Sequence, residues 1–574
     1  MRKLFLVILL TLPVGMYAQL STGEAPISFT LNEARECYTH NTRSIIMPEL
    51  DMEKIHKDDA IAKERGLIPR FGYRHKVSYD LNNSGVWFKL PNGDKMWQFE
   101  IICPNALSIN ILYDKFWLPD GGKFFVYSSD KKYHIGAFTS RNNKGIKSRP
   151  RGFATGLIPS NDIVLEYYQP SSVSDDAIIS IDCIVHGYRN TYMETDVIGS
   201  SWPCEVNINC DEGKDWQLEK RAVARIIANG NHFCTGALIN NTSNDQKPYL
   251  LTANHCLDIW DDSTNVHYVF SADGIANLDY WIFNWNFESS GCESINVVSD
   301  SVSTHGATVI ANNSLGDFAL LQLDESPRDC PRYIPYYLGW DRSGNSGDPG
   351  VCIHHPHGAI KKISTVDAPP DSHIPTQYGF NYRTDWIVNW KATVNGHGVT
   401  EEGSSGSPLL NAEHRIIGQL HHGRSYCNSS YVSAGPDYFG AFDLSWSGHG
   451  ASFFRKRLDH WLDPINTGQQ YLDGLFDVTG SITLETSQIV YGSIIIPQSG
   501  HLTIKGVIPM TGNSTITIES GGVLTVDSGK LCNVDIIMEE GSSIEVTNGG
   551  IIETRNGFNA PLGSTVNIIH GQIL

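Results

Sequence analysis

The chain is poor in positive charge: 43 Lys and Arg stand against 62 Asp and Glu in 574 residues, a formal net charge of −19. Nucleic-acid readers need a basic face to neutralise phosphates, so polyanion binding is excluded as the main task. Long apolar runs are scarce as well. Beyond Gln19 no segment offers the ~18 uninterrupted apolar residues of a membrane-spanning helix. Metal-site spacings are missing too. There is no HExxH and no paired CxxC, the clusters His354-His355-Pro356-His357 and His421-His422 fit neither pattern, and Asp261-Asp262 lack the spacing of a calcium loop. No metal and no cofactor is expected.

What is present begins with Arg2 and Lys3, the apolar run Leu4 to Leu12, and Met16-Tyr17-Ala18. That is the layout of a secretory signal over residues 1–18. It implies export into an oxidising compartment, where twelve cysteines favour disulfides over zinc. At ~150 residues per domain the length suggests three or four units. Residues 19–202 alternate in short apolar runs such as Trp97-Gln98-Phe99-Glu100-Ile101 and Phe124-Phe125-Val126-Tyr127. They predict a mostly antiparallel β unit, with a charged helix near Met52 to Arg65, a Cys103–Cys183 staple, and a linker from Asn190 to Pro203. Residues 203–476 carry many short strand signals expected of a double β-barrel, closed by a helix over Ala451 to Leu462. In residues 477–574, triplets such as Ile482-Thr483-Leu484, Leu502-Thr503-Ile504, Leu524-Thr525-Val526 and Ile544-Glu545-Val546 recur about every 20 to 22 positions. One short strand per repeat predicts a small parallel β-solenoid, with an antiparallel β-sandwich as the alternative.

Three segments carry chemistry: Thr252-Ala253-Asn254-His255-Cys256, Gly316-Asp317-Phe318-Ala319, and Gly403-Ser404-Ser405-Gly406-Ser407-Pro408. A hydroxyl becomes a nucleophile at neutral pH when an imidazole takes its proton and a buried carboxylate holds that imidazole. The reading is a triad of His255, Asp317 and Ser405 in the chymotrypsin-type order, with the N–H groups of Gly403 and Ser405 as the oxyanion hole.

At these residues the chain resembles the bacterial lysyl endopeptidases, secreted serine peptidases of chymotrypsin fold. The likeness runs from about Cys204 to Phe476. It includes Gly339-Trp340-Asp341-Arg342, Ile353-His354-His355-Pro356, Val399-Thr400-Glu401, Ile417-Gly418-Gln419-Leu420-His421 and Trp461-Leu462-Asp463-Pro464. The resemblance implies the disulfides Cys204–Cys427, Cys210–Cys292 and Cys234–Cys256, each closing a loop worth ~2 to 4 kcal/mol. Cys330 and Cys352 have no counterpart in the family pattern and could form an extra bridge, with Cys37 and Cys532 free. It also implies that Asp437 is the pocket carboxylate for a cationic P1 side chain and that His421 lies beside it in the substrate-binding pocket. The family's shielding tryptophan is absent: the matching stretch, Ile374 to Tyr378, carries a tyrosine.

Ser404 stands where chymotrypsin has the aspartate that receives a new N-terminal amine, so an amine-triggered switch is not expected. The N-terminal β unit resembles the propeptide of related secreted peptidases, acting as folding aid and inhibitor. The C-terminal repeat resembles short modules at the ends of secreted Bacteroidetes proteins, with envelope association as one role. The expectation is a monomeric, secreted serine endopeptidase cleaving protein or peptide substrates after basic residues, Lys ahead of Arg. Two alternatives stand beside it: another P1 specificity, such as the glutamyl type, and a non-catalytic surface binding protein on a protease fold.

Overall fold

The computed structural model describes all residues except 1–22, 31–43, 65–67, 190–200, 262–265, 269–275, 294–300, 331–332, 376–381, 428–431, 434 and 513. The expected signal segment, Cys37, Tyr378 and most of the expected linker lie outside the described residues. The chain divides into two compact units, one of residues 1–50 and 75–188, the other of residues 51–74 and 189–574.

In the first unit, alternation along each strand produces two separate apolar faces. The central sheet runs in the order Ser44–Ile46, Lys95–Ile102, Asp162–Gln169, Lys123–Ser128, His134–Phe138, antiparallel apart from Ser44–Ile46. Odd and even residues of Lys123–Ser128 part company: Phe124 and Val126 join Trp97, Phe99, Ile101, Ile163 and Leu165 in one core. Phe125 and Tyr127 point the other way, where Ile27 and Phe29 of the helical turn Ile27–Thr30 cover them. A second sheet contains Ser108–Trp117 and Ile178–Gly187. The expected Cys103–Cys183 staple does not form: Cys103 is a buried thiol at the end of a strand in the first sheet, and Cys183 belongs to a strand of the second. The predicted charged helix is present as Met52–Glu64.

In the second unit, one sheet contains Val223–Ala228, His232–Leu238, Tyr249–Ala253, Ile282–Trp285 and Phe318–Leu323. It closes through a single bent stretch. Val302–His305 pairs with Ile282–Trp285, and after Gly306, whose φ of +73° favours glycine, Ala307–Asn313 pairs with Phe318–Leu323. The sheet therefore returns on itself as a barrel. The second barrel passes through Lys362–Thr365, Val351–His354, Pro408–Leu410, Arg415–Gly423, Asp437–Ala441 and Asp385–Val388, and the bridge Val366 to Trp390 closes it.

The expected helix over Ala451 to Leu462 is not continuous. Short 3-10 turns at Gly448–Gly450 and Phe454–Lys456 are followed by Arg457 in extended conformation, and only Asp459–Leu462 is helical. The Asn313 side chain donates to the carbonyl of Lys456 and to that of Gly448, which also accepts from Ala451 N. Leu458 and Leu462 are still buried. The three implied disulfides form. The extra bridge does not: Cys330 lies against Ser303 of the first barrel, whereas Cys352 contacts Ser407 inside the second.

The C-terminal repeat is a parallel β-solenoid, and the sandwich alternative fails because every strand pairing within the stack is parallel among the described residues. Leu502, Leu524, Ile544 and Val566 lie one above another, as do Ile494, Ile516 and Ile536 on the opposite wall. Its first strand, Gly474–Asp477, pairs antiparallel with Tyr336–Tyr337, joining the stack to the barrels. Truncating Leu524 to Ala should cost about 2–5 kcal/mol in denaturant unfolding of the full chain. Thr503→Ala, at an outward position, should change it by less than about 0.5 kcal/mol.

Candidate active site

Strand pairing brings the first two expected residues together. Tyr249–Ala253 and Phe318–Leu323 are antiparallel neighbours, with Ala253 opposite Phe318. His255 follows the first strand and Asp317 precedes the second. Asp317 adopts φ +50°, an uncommon conformation for a side-chain-bearing residue, and is 3% exposed. One carboxylate oxygen accepts the His255 backbone N–H at 2.9 Å, and the other lies 2.6 Å from His255 Nδ1. The ring is therefore fixed with Nδ1 on the carboxylate and Nε2 free for chemistry. The Cys234–Cys256 disulfide ties the histidine turn to the neighbouring strand.

Ser405 faces the same cleft as His255. Its carbonyl accepts from Thr235 N at 2.9 Å. Gly403 has φ +93°, and a Cβ there would stand 2.9 Å from the His357 nitrogen. Glu402 O accepts from His357 N at 2.5 Å. The N–H of the same peptide, that of Gly403, consequently points the opposite way from His357. Thr235 Oγ1 holds the Gly403 carbonyl at 2.9 Å.

Asp437 is completely buried, one layer behind the cleft wall formed by Thr400, Glu401 and Ser425. Its Oδ1 accepts from Arg424 N and Ser425 N, and its Oδ2 accepts from Trp390 Nε1 and Thr400 Oγ1, both at 2.6 Å, and from Ser425 Oγ. Burial pushes its pKa up, against these hydrogen bonds, which favour the ionised form. Its charge therefore reaches the cleft through the hydroxyls of Thr400 and Ser425.

Two carboxylates have roles that the motif reading did not assign. Glu401, present in the Val399-Thr400-Glu401 motif, lines the cleft. Its Oε1 accepts from Cys427 N at 3.2 Å, and its Oε2 stands 3.5 Å from His357 Nε2. Burial pushes its pKa above the ordinary range. Asp385, with no sequence signal of its own, accepts from His421 Nδ1 at 2.9 Å and Thr384 Oγ1 at 2.5 Å. Burial would raise the Asp385 pKa, but these bonds and the His421 charge outweigh it and hold it near 2. Burial lowers the pKa of His421, yet Asp317 and Asp385 outweigh that and keep it above the usual histidine value. His421 lines the cleft with His255 and Ser405, as expected.

One segment of the N-terminal region borders the same groove. Ile68 and Pro69 line the cleft, Arg70 pairs antiparallel with His232, and Phe71 N donates to Asn231 O at 2.8 Å. The Phe71 ring stacks on Phe233 at 4.4 Å.

A double barrel with a histidine–aspartate pair and a glycine-bracketed serine in one cleft defines a serine endopeptidase of chymotrypsin-like fold. A family profile described as "Lysyl endopeptidase, C-terminal domain" matches residues 198–440. The chain is 28% identical over 421 residues to the lysyl endopeptidase of Pseudomonas aeruginosa, covering 67% of this chain and 83% of that protein. It is 27% identical over 376 residues to the secreted RxLR effector protein 73 of Plasmopara viticola, covering 61% and 83%. Among solved structures it is similar to the HtrA-type protease AlgW with tripeptide, at 16% identity and TM-score 0.26 over 42% of this chain and 62% of that one. The Rv3671c protease of M. tuberculosis is similar at 14% identity and TM-score 0.24, over 40% and 79%. Over residues 198–440 the chain is thus similar to the C-terminal domain of the lysyl endopeptidases.

The raised Glu401 pKa has a consequence for stability. The folded protein keeps a proton that the unfolded chain releases near pH 4.5, so stability falls as pH rises from there through the raised value. Thermal unfolding from pH 4 to 9 should show this decline in the native protein and a flatter profile in Glu401→Gln.

Proposed function

We propose that the chain is the precursor of a secreted serine endopeptidase that hydrolyses peptide bonds after basic residues, Lys ahead of Arg. The observation that carries the reading is the double contact of Asp317 with His255, in a cleft shared with Ser405. Ser405 Oγ attacks the scissile carbonyl carbon and passes its proton to His255 Nε2. Asp317 stabilises the imidazolium. The carbonyl oxygen takes negative charge facing the N–H groups of Gly403 and Ser405. His255 returns the proton to the leaving amine, and a water repeats the sequence to release the acid and regenerate Ser405. Every step uses groups of this chain, substrate and water.

Preference for a cationic P1 is supported by the carboxylates around the pocket. Asp437 acts through Thr400 and Ser425, while Glu401, which keeps its proton, presents a neutral carboxyl whose oxygens can accept from an ammonium in the cleft wall. An ammonium entering there meets negative charge and acceptor hydroxyls, whereas an acidic P1 side chain meets repulsion, which disfavours the glutamyl alternative. The P. aeruginosa relative is itself described as a lysyl endopeptidase.

The N-terminal region is read as a propeptide whose segment Ile68 to Phe71 inhibits by occupying the groove as an added strand. Arg70 and Arg189 both pair with Asp59, at 2.9 and 2.8 Å, and Arg189 N donates to Phe71 O at 3.1 Å. Engagement of Arg189 weighs against processing at Arg189-Asn190 within the intact precursor and favours removal by another protease.

Mass-spectrometric mapping of the termini released from an unfolded protein by the processed enzyme should give ends after Lys and, less often, Arg. Ser405→Ala should give none, and ends after other residues would remove Asp437 from its role. In the precursor, Phe71→Asp breaks the stacking on Phe233 and should raise cleavage of a small lysyl substrate at least tenfold. Unchanged activity would dismiss the inhibitory strand.

A further inference from the structure

Beside the nucleophile loop lies a buried histidine that the proposed reaction does not use. His354 is fully buried, and burial together with the nearby Lys362 charge lowers its pKa to about 3, so its ring is neutral. Nδ1 lies 2.8 Å from Ser404 Oγ, and Nε2 lies 2.9 Å from Ser364 Oγ.

The neighbouring bonds fix the direction of this chain of donors. Ser364 Oγ donates its hydrogen to Val399 O at 2.8 Å, so it accepts from His354, and Nε2 carries the proton. Nδ1 is then an acceptor, and Ser404 Oγ donates to it. The same hydroxyl accepts from Glu401 N at 3.3 Å. One neutral imidazole therefore grips the loop twice, through Ser404 next to the nucleophile and through Ser364 at Val399. The loop between these points carries Thr400 and Glu401 of the pocket wall and Gly403 of the oxyanion site.

We infer that His354 is a positioning residue: through Ser404 it sets the backbone of the nucleophile loop so that the Gly403 and Ser405 N–H groups face the developing oxyanion. The inference rests on the proposed role of Ser405. It supplies what the sequence left open at Ser404, where no carboxylate exists to receive a chain-terminal amine. A neutral imidazole takes that position, so the loop is held by side chains internal to the barrel.

The test uses the processed enzyme with His354→Phe, which keeps a ring but breaks both hydrogen bonds, and His354→Asn, whose amide oxygen can replace Nδ1 as acceptor. Three quantities are read: kcat and KM for a lysyl amide, affinity for a lysyl peptide aldehyde, which forms an oxyanion on Ser405, and affinity for a simple alkylamine, which fills only the P1 pocket. His354→Phe should lower kcat and aldehyde affinity together by about 10- to 100-fold. KM and alkylamine affinity should stay within about twofold, and His354→Asn should recover part of the loss. Ser404→Ala should show the same split, and adding His354→Asn to it should cost little more, because one chain of bonds is already broken. This variant carries the test if His354→Phe fails to fold. A lowered melting temperature with unchanged kcat and aldehyde affinity would overturn the inference, as would equal losses of aldehyde and alkylamine. Absence of Ser405-dependent cleavage in the unsubstituted enzyme would refute the protease reading itself.

Discussion

The pairing of Tyr249–Ala253 with Phe318–Leu323 is the constraint on which the site depends. It forces the residue after one strand and the residue before the other to the same edge of the barrel, where His255 and Asp317 stand. The carboxylate then has little choice, because the His255 backbone N–H and ring both lie within reach. A strained backbone at Asp317 is tolerated because the strands on either side over-determine it. Gln419 Nε2, from the second barrel, adds a bond to Gly316 O at 2.6 Å, so both barrels restrain the aspartate loop.

Negative charge is concentrated on one side of the cleft, and the protein treats each carboxylate differently. Asp437 is surrounded by N–H and O–H donors and has a route to the cleft only through hydroxyls. Glu401 has one donor and a histidine near its other oxygen, so burial dominates and its proton is retained. Asp385 is paired with His421 and stays ionised. Chemically similar groups are thus held at different pKa values by the balance of burial, hydrogen bonds and neighbouring charge.

Much of this was legible in the chain. The neighbourhood of His255 and Asp317, the three disulfides and the repeat were readable because each depends on spacing or on residue types that few other roles require. Parallel pairing was the first expectation from the repeat period, with a sandwich as the alternative, and stacking of Leu502 on Leu524 and Ile544 bears it out. Asp385 and the groove-bordering Ile68 to Phe71 left no trace, because their contacts join positions far apart in sequence. The helix expected over Ala451 to Leu462 is broken by the extended Arg457, and apolar spacing cannot see the Asn313 side chain, which takes the Lys456 carbonyl just before that break.

The solenoid's geometry bears on how the chain carries load. Each coil's strands pair with those of the coils before and after it, and the first meets the barrels through Gly474–Asp477 against Tyr336–Tyr337. Tension on the distal coil passes through the stack to the barrels in series, and stepwise peeling caps that force near what one coil's bonds withstand. The stack therefore acts as a force limiter for the barrels, and with them the cleft, until the last coil has let go.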